Sequence, residues 1–502
     1  MRTKSPTISK KVFIRHEQAQ GSHQLRWLYL LEWPPFSGPD FPMPASPAFR
    51  RIPYLADSAL WYRALRHLPM PIWLDSGRPQ SSYGRYDILS AAPIRHLETT
   101  GDITRIVQAD GHFSESTDDP FALLQAQLPA PVLPLPGIPF CGGALGYFGY
   151  DLGRRLEKLP TQAVRDIELP DLFVGIYLWA IVQDHEQQQA WLVSLPEANN
   201  LDEILRIIEF HDLKQNLKSY KFSFGINKFQ REVNANKYAI SIARIQDYIR
   251  AGDCYQVNFA QRFSATYEGD PLIAYLTLRS VLPSPFSGFM ELPGGAILSL
   301  SPERFIRIDG NRQVETQPIK GTIARGSDSL TDQANAAALL ASEKDRAENL
   351  MIVDLLRNDL SKHCTQVKVP ALFSLQSFAN VHHLVSTITA HMQPDVSALD
   401  VLRDCFPGGS ITGAPKIRAM EIIDELEPVR RSVYCGSLGY IGADGQMDTS
   451  IAIRSLVCSQ GQIHCWGGGG ITADSDVERE YQESITKVQL LMDTLETHFS
   501  TR

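Results

Sequence analysis

Two periods of apolar residues divide the chain. Spacings of three and four predict helices in SALWYRALRHL (58–68), in the Ala/Leu-rich tract DQANAAALLASEKDRAENLMIVDLLRNDLSKH (332–363) and in the acid-rich DVEREYQESITKVQLLMDTLETHF (476–499). Short apolar runs closed by Gly, Asp or Ser predict strands in PIWLDSG and YDILSAAP. LFVGIYLWAIVQDHEQQQAWLVSL reads as two strands joined by a polar turn, the first of them a single buried strand over 172–182. AILSLSPERFIRIDGNRQVETQPIK reads as strands with Asp309-Gly310 at a hairpin turn. NANKYAISIARIQDYIRAGDCYQVNFAQRFSATY predicts a helix, a Gly-Asp turn and a strand, and SLGYIGADGQMDTSIAIRSLVCSQGQIHCWGGGG alternates strands with tight turns. Strands joined mostly by hairpins imply antiparallel sheets with helices packed outside them, an α+β fold.

Residues 1–42 break the pattern: they are polar, then proline-rich (EWPPFSGPDFPMP), with no clear period. They read as an unstructured extension or a start assigned too early. The polar, Lys-rich stretch 196–230 marks a boundary, giving an N-terminal domain over 43–215 and a second domain over 216–502.

With 43% hydrophobic and 21% charged residues, the chain can build a sizeable core. A net charge of −8 argues against general nucleic-acid binding but leaves room for a small anionic substrate at a local basic site. The seven cysteines include no C-x-x-C pair, and an odd, scattered set fits reduced thiols in the cytosol. The apolar run 172–182 is too short to span a bilayer, and the basic N-terminus lacks the apolar stretch of a secretion signal. The expectation is a cytoplasmic protein that binds neither nucleic acid nor membrane.

Some residues can carry chemistry. Lys320 lies in TQPIKGTIARG (316–326), a tight apolar-flanked turn. It is either a solvated surface lysine or a nucleophile whose surroundings lower its pKa. Glu480, Glu483 and Lys487 share one helix face, as do Asp345 and Glu348 in the earlier tract. Each set is either a salt-bridged solvent face or half of a divalent-cation site, for which hard oxygen donors suit Mg2+. WGGGGITADSD (466–476) reads as a glycine run opening a helix, and PGGSITGAPK (407–416) as a similar turn; either could hold an anion on backbone amides. Arg454, within an otherwise apolar strand, needs an anionic partner, either a structural acid or a substrate carboxylate. His383 is a core histidine or a site residue. Cys435 has a glycine after it but lies in an expected strand, so it makes a poor glutaminase nucleophile.

SPERF, PIKGT, KDRAEN, VDLLRNDL, HHLVST, FPGGSITGAPKIRAMEIIDELEP and GGGITADSDVEREYQE occur here in the order seen in the chorismate-utilising enzymes, which this chain resembles densely over 235–495 and more loosely over 50–195. That family includes component I of anthranilate synthase and of aminodeoxychorismate synthase, and the isochorismate and salicylate synthases. The resemblance implies large antiparallel sheets packed face to face between helical layers. Relatives that add water to chorismate carry a lysine base where Gln256 stands, and anthranilate synthases resemble PIAGT where this chain has PIKGT. The resemblance therefore implies amination at C4, with Lys320 as covalent nucleophile, Glu303 as general acid and His383 near the leaving hydroxyl. Anthranilate-type amination at C2 is the alternative. Glu348 and Glu483 match metal-ligating carboxylates, with Asp345 and Glu480 beside them, and Mg2+ is the implied cofactor. Arg454, Gly468 and Lys487 match contacts to substrate carboxylates. Gln256 is expected beside the substrate, and Ser410 keeps a hydroxyl where several relatives have threonine. The implied partners are chorismate, ammonia and a separate glutaminase subunit in a heterodimer. LDSG (74–77) and SSYGRYDI (81–88) resemble a tryptophan pocket, with Ser76 and Tyr83 as its candidates.

Overall fold

The computed structural model describes residues 45–79, 84–198, 201–209, 223–378 and 381–500. The extension 1–42 and Tyr83 lie outside the described residues. Among the described residues the strands form two antiparallel sheets, of thirteen and twelve strands. Strands Ile72–Asp75 and Phe286–Leu292 pair in one sheet, and strands Gly143–Phe148 and Ser437–Gly442 pair in the other. Strands from 43–215 and from 216–502 therefore share both sheets, and Pro44–Arg502 forms one compact unit. One aromatic cluster joins the same two stretches: Trp73 stacks on Tyr62 at 5.8 Å, and Phe289 meets the edge of Tyr62 at 5.3 Å.

The sheets face each other. A side chain at Gly288 on one sheet would strike Leu438 on the other, at 2.6 Å. Helices cover the outside. Helix Val477–Phe499 packs on strand Gln462–Ile471 and on helices Ala235–Ala251 and Pro271–Val281, while helix Glu343–Ser361 packs on strands Ile319–Ala324, Cys364–Ser377 and Val381–Met392. The α+β expectation is met by this layering.

Four local expectations are corrected. The run 172–182 is two strands, Leu172–Tyr177 and Trp179–Asp184, which sit in different sheets. It is apolar throughout because both halves are buried on both faces. The tract 332–363 holds two helices, Ser329–Ala341 and Glu343–Ser361, divided where Ser342 takes an extended backbone and caps the second through the Asp345 amide. The glycine run opens no helix. It lies in strand Gln462–Ile471, because Gly467 passes against the Ser484 carbonyl of the last helix and Gly468 against the Phe259 carbonyl of the neighbouring strand. Arg454 is not within a strand. It occupies the link between Met447–Ile451 and Ser455–Ser459 with a left-handed φ of 50°.

Candidate active site

A cavity of about 510 Å³ opens where the helices covering one sheet meet those covering the other. Its lining includes Glu303, Lys320, Asp345, Glu348, His383, Ser410, Arg454, Gly468, Glu480, Glu483 and Lys487. Residues distributed over 303–487 in the sequence thus converge on one volume. Gln256 lies against its rim, since a Cβ on Gly470 would overlap the Gln256 amide nitrogen.

Lys320 lies on strand Ile319–Ala324, whose register against Val381–Met392 slips between Ile319 and Thr322. Such a bulge re-aims a side chain. Gly321 supplies the required backbone with φ of 84°, and a Cβ there would meet Asp345 and Leu339 at 2.9 Å. Desolvation pulls the Lys320 ammonium below the ordinary lysine range; Glu348 opposes this shift and Lys487 adds to it. Lys320 makes no ion pair or side-chain hydrogen bond among the described residues, so the surface-lysine alternative does not describe its setting.

Glu303 follows strand Gly295–Ser301. Its amide donates to Ser301 Oγ (3.2 Å), and its carbonyl accepts from the Ile451 amide (3.0 Å). Burial raises its carboxyl to about 7, against a hydrogen bond from Ser410 and the nearby Lys320 charge, which lower it. A carboxylic acid held protonated near neutrality can deliver a proton. His383 pairs with Thr322, whose Oγ1 lies 2.8 Å from His383 Nδ1. Desolvation and Arg454 lower the imidazole to about 3, so it is neutral. Burial also lowers the Arg454 guanidinium, which has no ion pair or side-chain hydrogen bond among the described residues.

Opposite charges gather at the other wall. Lys344 Nζ reaches Glu480 at 2.8 Å and Glu348 at 3.8 Å, and Lys487 Nζ reaches Glu483 at 2.7 Å and the Gly468 carbonyl at 2.9 Å. Points beside adjacent glycines gauge the convergence. A Cβ on Gly469 would lie 2.9 Å from Glu480 Oε2 and 3.6 Å from Glu483 Oε1, and one on Gly470 would lie 3.3 Å from Glu348 Oε2. Burial raises the Glu348 carboxyl; burial is also the largest influence on Glu483, but Lys487, Lys344 and Lys320 together offset it and the net shift is downward. Among the described residues no three acidic or histidine side chains form a preassembled cage. The donor set nevertheless fits Mg2+: hard carboxylate oxygens from two helices, beside glycines that leave room for a cation and its waters.

Several lining residues escaped the sequence reading: Asn258, Thr322, Lys344, Tyr434 and Trp466. Lys344 alone had a local signal, its position four residues before Glu348. Tyr434 and Trp466 stack at 5.5 Å, a tertiary contact with no sequence trace. Ser76 lies outside this cavity, donating to Asp87 at 2.6 Å. Cys435 sits in a turn before strand Ser437–Gly442, with φ of 66°, not in a strand. Burial pushes its thiol up to about 12, the reverse of an activated nucleophile.

Sequence and structure comparisons agree with this architecture. Component 1 of aminodeoxychorismate synthase from Escherichia coli is 48% identical over 458 residues, covering 90% of this chain and 99% of that protein. Its Salmonella typhimurium counterpart is 47% identical with the same coverage. Anthranilate synthase component I from Streptococcus pneumoniae superposes with a TM-score of 0.72 at 29% identity, covering 82% of this chain and 92% of that one. The profile of the chorismate binding enzymes matches residues 71–493, a span that contains every residue lining the cavity, and the chain belongs to that family.

Proposed function

We propose that the chain is the chorismate-aminating component of an aminodeoxychorismate synthase, turning chorismate and ammonia into 4-amino-4-deoxychorismate and water on the route to p-aminobenzoate and folate. The observation that carries this reading is the desolvated Lys320, without an ion pair among the described residues, in one cavity with Glu303, whose carboxyl burial raises to about 7. The near-full-length similarity to proteins of that name supports it.

The neutral Lys320 amine adds to C2 of chorismate. The ring double bonds shift, and the C4–oxygen bond breaks as Glu303 protonates the departing hydroxyl to water. Ammonia then adds at C4, the double bonds shift back and the C2–nitrogen bond to Lys320 breaks. The surplus proton on the new C4 amine returns to Glu303. Neutral His383, fixed through Thr322, offers a hydrogen bond to the leaving hydroxyl. Arg454, Lys487 and the Gly468 backbone hold substrate carboxylates, while Gln256 and Ser410 offer polar contacts to the ring substituents. Glu348 and Glu483, with Asp345 and Glu480 next to them, would hold Mg2+, which supplies charge neutralisation for a substrate carboxylate. Gln256 cannot activate water as a lysine base would, which argues against hydration of chorismate.

Ammonia would come from a separate glutaminase subunit, since Cys435 has the wrong protonation for that chemistry. Seven buried free thiols fit a reducing cytoplasm, and no helix of the described residues is long and apolar enough to cross a membrane. The deciding experiment supplies purified protein with chorismate, Mg2+ and ammonium. Product is identified by mass and by conversion to p-aminobenzoate through a lyase. Anthranilate instead would assign the chain to the ortho-aminating branch.

A further inference from the structure

Behind the cavity wall lies a buried ion pair that touches no substrate volume. Arg431 and Glu427 have side chains only 1% and 4% exposed. Arg431 Nε and Nη2 donate to the two carboxylate oxygens of Glu427 at 2.9 and 2.6 Å. The same guanidinium donates outward to two backbone carbonyls, through Nη1 to Ile411 (2.8 Å) and through Nη2 to Asn258 (2.6 Å). Glu427 Oε1 also accepts the Ala260 amide at 2.8 Å. The Arg431 guanidinium lies over Tyr150 at 4.7 Å and 5.8 Å from the Tyr434 ring, and Tyr434 stacks on Trp466.

Asn258, Ser410, Ile411, Tyr434 and Trp466 all line the cavity. One cation therefore ties together strand Gln256–Gly269, the short turn Gly409–Ile411 and an aromatic wall. A buried ion pair by itself is weak evidence for stability, since desolvation offsets most of its attraction. This pair also holds two backbone carbonyls of cavity-lining residues, those of Ile411 and Asn258. We propose that Arg431, oriented by Glu427, is a positioning residue that fixes the Gly409–Ile411 turn and so holds Ser410 in the cavity wall that it shares with Glu303.

The proposal builds on the reading of Glu303 as general acid. Ser410 acts on Glu303 by stabilising its ionised form and so holds its pKa down. If the turn drifts, Ser410 moves away, its stabilising effect on the ionised carboxylate weakens and Glu303 holds its proton to higher pH. The limb on which activity falls as pH rises then moves upward.

The test uses Arg431→Lys, which keeps the charge but loses the planar fork that reaches four acceptor oxygens at once. Chorismate consumption with saturating ammonium is followed against pH for the wild type, Arg431→Lys, Ser410→Ala and the double variant. Expected are a fall in kcat of about tenfold or more for Arg431→Lys with a smaller change in KM, and an upward displacement of the alkaline limb by about half a pH unit or more. Ser410→Ala should move the limb the same way, and the double variant should move it no further, because both lesions break one connection. Glu427→Gln, nearly isosteric, should give a milder shift of the same sign and serves if Arg431→Lys folds poorly. An unmoved limb in folded Arg431→Lys and Glu427→Gln, or fully additive shifts in the double variant, would overturn the proposal. Product identity, measured on the wild type, reports separately on the proposed function.

Discussion

Two cavities of this protein differ in how they treat their most desolvated cations. The smaller, about 170 Å³, lies between the sheets and is lined by Leu74, Ile88, Phe286 and Leu438 with Arg85, Arg304 and Asp448 among them. Its arginines are bound within the protein: Arg85 to Asp184 at 2.8 Å, and Arg304 to Asp448 at 3.0 Å and Glu315 at 2.9 Å. In the larger cavity Lys320 and Arg454 are desolvated and lack any anionic side chain within ion-pair distance among the described residues. A desolvated charge without a partner costs stability. Its persistence points to a ligand or a reaction that uses it, whereas a buried arginine paired as Arg304 is needs no ligand to account for it.

The largest effect expected from that contrast comes from exchanging one cation in each place. Lys320→Ala should abolish C4-aminated product, a fall of about a thousandfold or more. Residual amination should shift to C2, because ammonia then meets an open ring carbon and the sequence locally becomes PIAGT. Lys320→Arg should be no better, since a guanidinium stays protonated. Arg304→Met in the small cavity should leave the product unchanged while lowering stability by about 1–3 kcal/mol, because Asp448 and Glu315 lose their partner. Product analysis and denaturant unfolding measure both. Undiminished C4 product from Lys320→Ala would mean that ammonia attacks C4 directly, and Lys320 would only bind.

Next is the acidic wall. Glu348→Gln should reduce activity by about a hundredfold or more and weaken Mg2+ binding measured by calorimetry, with unfolding unchanged. Near-normal turnover together with unaltered Mg2+ binding would remove Glu348 from the cation site.

Much of this site was legible because its charges obey helical spacing. Asp345 and Glu348, and Glu480, Glu483 and Lys487, sit at separations that place them on one face, and both faces do line the cavity. The glycine run was misread because glycine opens helices and also permits close strand packing, and only the neighbouring backbone decides between them. The 172–182 run concealed a change of sheet at Leu178, since burial in either sheet selects the same apolar residues. The Arg431–Glu427 pair was invisible for a different reason. Its separation is that of any surface helical pair, and nothing local reports that the residues are buried or that Ile411 and Asn258 come to meet them.

A smaller effect is expected at Arg454. Arg454→Met should raise the KM for chorismate by about thirty- to a hundredfold, since a charge-assisted contact to a carboxylate is lost. Its Tm should stay level or rise, because the variant removes a desolvated charge that has no ion-pair partner among the described residues. A marked loss of stability would show that Arg454 is structural, and the contrast between the cavities would fail at that residue.

The smallest expected effect concerns the small cavity and the tryptophan expectation. Ser76, one of its two candidates, donates its hydroxyl to Asp87 and stands behind Gly84, where a Cβ would strike the Ser76 backbone. Gly84 itself lines the small cavity. Apolar walls with a polar rim suit an indole carrying charged amino and carboxyl groups. The rim charges already have partners, so such a ligand must share them, and its binding should be modest. Saturating tryptophan should raise Tm by about one to three degrees, with phenylalanine giving less, through preferential binding to the folded chain. Turnover should not change, because the charges it meets are paired between neighbouring strands within each sheet. If tryptophan alters kcat or the KM for chorismate, the small cavity is coupled to the large one, and paired charge no longer separates structure from function here.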